Sequence, residues 1–180
     1  MNWLLIVYAG VIGACIGSFL NVCIYRWPAE QSVLRPRSRC PQCENSIAWY
    51  DNLPILSWII LRARCRYCGA PIAAQYPMVE LVCAVVWAAA AARFGFSITA
   101  LHSATFLTIL LGIAMTDARE MVIPDQFTLG GTVLGLGFAA FPGGLAFLTA
   151  LIGAVSAYAF FWAGKWAAED PGLLRSPGDK

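Results

Sequence analysis

Four cysteines stand in two pairs, Cys40-Pro41-Gln42-Cys43 and Cys65-Arg66-Tyr67-Cys68, with 21 residues between the pairs. Two residues between paired cysteines let a tight turn aim both thiolates at one ion, and two such knuckles complete a tetrahedral S4 site of the zinc-ribbon kind. Zinc is the expected ion, and another thiophilic metal such as iron suits the same ligands. Four thiolates leave no open position on the ion, so the site serves as a folding staple or a docking module and not as a catalyst. The second chemical signal is Asp117, which ends an uncharged stretch running from Phe94 to Thr116. A carboxylate is costly to keep at such a place and points to function, against the plainer reading of a solvated helix end beside Arg119 and Glu120. Acid–base work by a carboxylate pair needs a second one close enough to share a proton. Asp125 lies eight residues on, about 12 Å away along a continuous helix, and after Pro124 it reads better as the capped start of the next helix. On the same side that leaves Glu80, Asp170 and Asp179.

The elements that position these residues must be membrane-embedded. With 180 residues, 59% hydrophobic and 12% charged, the chain carries more apolar surface than a water-soluble domain of this size can bury. Met1 to Tyr25 contains no charge, enough helix to cross a hydrocarbon core of about 30 Å, and it lacks the basic start of a cleaved signal peptide. A polar segment over residues 26–77 follows. Residues 78–164 then hold an apolar run to Ala92 broken only by Glu80, the Phe94–Thr116 run, and an uncharged stretch from Gln126 to Gly164. The last is too long for one crossing, and Pro142, Gly143 and Gly144 divide it. The fold class expected is therefore an all-α polytopic membrane protein of about five transmembrane helices, with a small zinc-ribbon-like domain between the first two and a polar tail over 165–180.

Seven of the twelve basic residues, Arg26, Arg35, Arg37, Arg39, Arg62, Arg64 and Arg66, lie in the polar segment. The positive-inside rule puts that segment in the cytoplasm and Met1 outside, and counting onward only Arg93 falls outside. A reducing cytoplasm disfavours disulfides between the four cysteines. Cys15, Cys23 and Cys83 lie in apolar runs and read as small core residues. Gly130, Gly131, Gly135 and Gly137 suggest close helix packing in the fourth span, and His102 suggests a hydrogen bond between helices.

The chain resembles the type IV prepilin peptidases. The likeness is carried by Gly17-Ser18-Phe19-Leu20-Asn21-Val22 with Tyr25-Arg26-Trp27-Pro28, and by Asn52-Leu53-Pro54 through Leu56-Ser57-Trp58 and Leu61-Arg62. Both cysteine pairs, Tyr76-Pro77-Met78-Val79-Glu80, and Thr116-Asp117 followed by Ile123-Pro124-Asp125 complete it, over roughly residues 10–165. The resemblance implies a bacterial inner-membrane aspartic protease that removes the basic leader of type IV prepilins, or of the pseudopilins of type II secretion, at the cytoplasmic face of the bilayer. Many members also methylate the new amino terminus with S-adenosylmethionine, and members without the cysteines exist. No nucleic acid is expected as a partner. By the family pattern Asp117 is the first catalytic aspartate, and the second sits in a Gly-x-Gly-Asp-x-Lys block whose nearest match is Pro177-Gly178-Asp179-Lys180. The match lacks the first glycine, and the family's further helices would follow Lys180, so the resemblance implies a C-terminally truncated member. Its alternatives are an inactive remnant and a non-enzymatic membrane scaffold for a zinc ribbon.

Overall fold

Charge-free stretches set the helices, and local stop signals set their ends. In the computed structural model, which describes residues 3–141 and 147–169 with side chains through Gly164, six α-helices follow one another: α1 (Trp3–Arg26), α2 (Leu56–Ile60), α3 (Gln75–Phe94), α4 (Ile98–Glu120), α5 (Asp125–Ala139) and α6 (Phe147–Glu169). There is no strand among the described residues, only two isolated bridges, Arg39 with Ser46 and Arg64 with Pro71. Helix α3 ends at Gly95, whose φ of 65° suits a residue without a side chain, and its amide bonds back to the Ala91 carbonyl. Helix α4 starts at Ser97, whose hydroxyl accepts from the Ala100 amide at 3.2 Å, and ends in the left-handed Met121.

Four helices, α1, α3, α4 and α6 through Gly164, are long and apolar enough to cross a membrane. The chain is thus a multi-pass membrane protein. Of the five expected spans, the fourth corresponds to α5, which has 15 residues and a length of about 22 Å, short of a full hydrocarbon core. The expected turn at Pro142, Gly143 and Gly144 lies outside the described residues, as do Asp170 and Asp179.

The chain divides into two units, Met1–Gly131 and Thr132–Lys180. The second contains α6, apolar over its 18-residue window and with Phe160 edge-on to Phe161. In the first unit, α1 and α3 come together over glycines. A Cβ on Gly13 would lie 2.6 Å from the Cys83 carbonyl oxygen, and one on Gly17 would lie 2.7 Å from the Glu80 Cα, so only glycine permits this approach. Helix α4 joins through Ala100 and Ala104 against Ala90, and the Trp87 indole donates to the Thr108 hydroxyl at 3.0 Å. Phe127 of α5 lies edge-on to Trp27 and over Gly112, closing a core of Leu20, Cys23, Ile24, Val79 and Cys83. The close approaches therefore fall at Gly13, Gly17 and Gly112, while Gly130 faces open space. Cys23 and Cys83 are buried as expected, whereas Cys15 is exposed on α1. His102 is exposed on α4, with its ring 6.5 Å from that of Phe106.

Candidate metal centre and membrane-edge carboxylates

The two cysteine pairs fold into matching knuckles. In the first, the Cys40 amide donates to the Asn45 carbonyl (3.0 Å), Glu44 to Cys40 (2.9 Å) and Ile47 to Ser38 (2.8 Å). In the second, Cys65 donates to Ala70 (2.8 Å), Gly69 to Cys65 (3.0 Å) and Ile72 to Ala63 (2.7 Å). Every partner is displaced by 25 residues, and Glu44 and Gly69 occupy the same left-handed turn position with φ of 56° and 72°. The sequence carries this repeat as Arg-Cys-x-x-Cys-x-x-x-Ile at residues 39–47 and 64–72, a signal that extends beyond the cysteine spacing.

All four cysteines are free, and their sulfurs lie within 4.8 Å of one another, with Cys40 Sγ and Cys68 Sγ 3.8 Å apart. A tetrahedral ion with bonds of about 2.3 Å sets its ligand sulfurs about 3.8 Å apart, so the cluster fits zinc. The Cys43 and Gln42 amides draw the Cys40 thiol below the ordinary cysteine range. The Ala70 amide acts likewise on Cys68, but loss of water and the crowding by the Cys43, Cys65 and Cys40 sulfurs push that thiol up to about 11. Thiols this close ionise together only around a cation. The Asn45 amide group also approaches Cys43 Sγ at 3.5 Å.

Arg66, inside the second knuckle, donates to both carboxylate oxygens of Asp51 at 2.7 and 2.5 Å. The guanidinium holds the Asp51 carboxyl below its usual range. Asp51 lies in a 3-10 turn, Trp49–Asn52, which packs on α2, and the Trp58 indole donates to the Ile72 carbonyl at 3.1 Å. The module is tied to the membrane helices through Glu80, a buried carboxylate on α3 that accepts the Ile55 amide at 2.7 Å. Glu80 is therefore an anchor for the module.

Asp117 sits exposed in the last turn of α4, and its carbonyl accepts the capping Met121 amide at 2.9 Å. Two residues on, Arg119 lies about 200° round the helix. Its guanidinium stacks 4.0 Å from the centre of the Tyr25 ring and donates to Gln75 at 3.3 Å, while Tyr25 stacks on Tyr76 at 5.2 Å. The buried Asn21 donates to the Tyr76 carbonyl at 3.0 Å. These contacts fix the end of α4 to α1 and α3 and turn Asp117 away from both. Asp125 is exposed in the first turn of α5, where a negative charge meets the positive end of the helix. Helices α4 and α5 are separate, so the spacing along one continuous helix does not describe the two aspartates.

Two family models match the chain: the bacterial peptidase A24 N-terminal domain over residues 11–94 and the type IV leader peptidase family over residues 104–175. Among curated proteins it is similar to the prepilin leader peptidase/N-methyltransferase of Myxococcus xanthus, 44% identical over 86% of this chain and 46% of that protein. The proteins of the same name from Aeromonas hydrophila (34% identical, 93% of this chain, 66% of that protein) and Klebsiella pneumoniae (35%, 86% and 70%) are also similar. The chain spans about half to two thirds of the length of these relatives. No solved structure matches.

Proposed function

The chain belongs to the type IV leader peptidase family, and from that premise we propose that it is a membrane-embedded aspartic peptidase cleaving the leader peptides of type IV prepilins or pseudopilins. The observation that carries the reading is the place of Asp117: a carboxylate at the membrane edge, on a helix end clamped by Arg119 and facing away from the clamp. In this reading one carboxylate takes a proton from water, the water oxygen attacks the scissile carbonyl while the second, protonated carboxyl polarises the carbonyl oxygen, and the first then passes its proton to the departing amine as the C–N bond breaks. We assign Asp117 to one of these roles and Asp179 to the other. The basic residues of the cysteine module support an inner-membrane orientation with the module and Asp117 on the cytoplasmic side and the N-terminus outside.

Zinc at Cys40, Cys43, Cys65 and Cys68 would cross-link the two knuckles and supply no catalytic group. The names of the relatives support a second activity, methylation of the new amino terminus with S-adenosylmethionine as methyl donor. The test is a prepilin with an intact leader incubated with the purified chain in lipid. Asp117→Asn abolishes cleavage, because an amide cannot serve as the base, whereas Asp125→Asn leaves substantial cleavage. If Asp117→Asn cuts as well as the unmutated chain, the assignment fails. If the unmutated chain leaves every such leader intact, the peptidase reading yields to a membrane-anchored scaffold for the closed metal module.

A further inference from the structure

Helix α2 is built inside out for a segment in water. Its inward residues are polar or hydrogen-bonded: Ser57 is buried with its hydroxyl donating to the Tyr50 carbonyl at 3.2 Å, and Trp58 is held by Ile72. Its outward residues are large and apolar, with Leu56, Ile59 and Ile60 58%, 59% and 70% exposed, and Leu53, just before the helix, is 42% exposed. In a small module this pattern is a liability unless something covers it.

Two further observations say what covers it. The first is depth. The Ile55 amide, at the start of α2, is bonded to Glu80, which lies five residues and about 7.5 Å inside α3 from its Gln75 end. Ile55 is held there in a turn with φ of 62°, unfavourable for a β-branched residue, and the Leu56 amide closes back on the Pro54 carbonyl at 2.5 Å. The chain accepts that strain to seat α2 beside the first turns of a membrane span. The second observation is charge. Arg62 and Arg64 follow α2 directly and are exposed, and the segment from Arg26 to Ala74 carries seven arginines against Glu30, Glu44 and Asp51, a net +4 (7 − 3).

We propose that α2 is a membrane-surface anchor: Leu53, Leu56, Ile59 and Ile60 enter the boundary between headgroups and acyl chains of the leaflet on the module's side, and Arg62 and Arg64 meet anionic phospholipid headgroups there. The segment enters and leaves through the spans α1 and α3, so the bilayer is already within reach and no other partner has to be recruited. The anchor holds the metal module flat against the membrane edge.

The experiment uses the full chain with p-benzoyl-phenylalanine in place of Ile60, reconstituted in nanodiscs of phosphatidylcholine alone or with phosphatidylglycerol, irradiated and read by peptide mass spectrometry. A covalent lipid adduct at residue 60 is expected, with the higher yield in the anionic discs. Each arginine near an anionic surface contributes about fivefold, so Arg62→Gln with Arg64→Gln lowers the ratio of docked to free module by about 30-fold and brings the yield towards that in neutral discs. The same probe at Ile59, in protein that retains its metal, separates a real result from local misfolding. Absence of lipid adducts at both positions overturns the proposal, as do cross-links only to another protein chain or a yield indifferent to lipid charge.

Discussion

Replacing Gly17 with alanine tests whether the contact between α1 and α3 is what holds the membrane part together. The added methyl would stand 2.7 Å from the Glu80 Cα, 3.0 Å from the Cys83 Cβ and 3.1 Å from the Val79 carbonyl oxygen. The shortest of these falls about 0.8 Å inside the closest comfortable carbon–carbon separation of about 3.5 Å. The obstacle is backbone, so α1 must withdraw as a whole. Overpacking of this kind costs about 1–3 kcal/mol. Alanine's better helix propensity offsets at most about 1 kcal/mol, and less in a bilayer, where the separated helix is already formed. The net loss is about 1–2 kcal/mol, or about 2–8 °C in thermal midpoint for a chain of this size. Gly10→Ala is the matched control: its methyl would meet the Ala84 oxygen and the Ala88 Cβ at 3.6 Å, ordinary contact distance, and its midpoint stays level or rises. Because the clash is with Glu80, Gly17→Ala should also raise protease sensitivity between residues 27 and 74, which are tied down through the Glu80–Ile55 bond. Thermal unfolding in one detergent and limited proteolysis read the two effects. Equal midpoints for Gly17→Ala and Gly10→Ala would refute the reasoning.

Purified protein should carry about one zinc per chain, lost on changing Cys40 and Cys43 to serine; metal analysis finding none, with the four cysteines paired as disulfides, removes the site. Glu44→Gly should slow zinc loss to a chelator, because glycine relieves a left-handed residue at a cost otherwise of about 1–2 kcal/mol. Gly69→Ala should speed that loss through backbone conformation alone, since no atom lies within 4 Å of the new methyl. Acid should act on the module in two stages. The Asp51 carboxyl is lowered by Arg66, so its contribution is full above the unfolded value of about 3.9 and disappears only as pH falls through the lower folded one. Thiolates take up protons at higher pH, so metal release should precede the shift of the Asp51 carboxyl carbon in NMR, and the reverse order contradicts the assignment.

Residues that act by their own type and spacing were legible in the sequence. The four cysteines needed only their intervals, and the long apolar runs placed α1, α3, α4 and α6 because a bilayer penalises interruptions. Asp117 was visible as the charge that ends such a run. Less could be read where the partner is backbone. Glu80 stood out as a carboxylate in an apolar run, yet its partner is the Ile55 amide, which every sequence position offers alike. Glycines were ambiguous for a related reason: the cluster from Gly130 to Gly137 looks as suited to close packing as Gly13 and Gly17, and only helix pairing decides which ones meet a neighbour. The role of Arg119 was hidden because its partners, Tyr25 and Gln75, lie on two other helices.

The pairing of α1 with α3 has a consequence for how the protein is made. About fifty residues separate the end of α1 from Gln75, and at about 5–20 residues per second a ribosome needs roughly 2–10 s to bridge them. Through that interval α1 is in the membrane alone. Its Gly13–Gly17 face is open, and the Asn21 side-chain NH2 lacks the Tyr76 carbonyl to which it donates in the finished protein. Cys68, meanwhile, is synthesised before any residue of α3. Synthesis therefore runs in a fixed order: both cysteine pairs are made while the first helix still waits, and the hairpin of α1 and α3 can close only afterwards. The insertion machinery that receives this chain must shelter a single helix, with the Asn21 side chain still without Tyr76, for seconds.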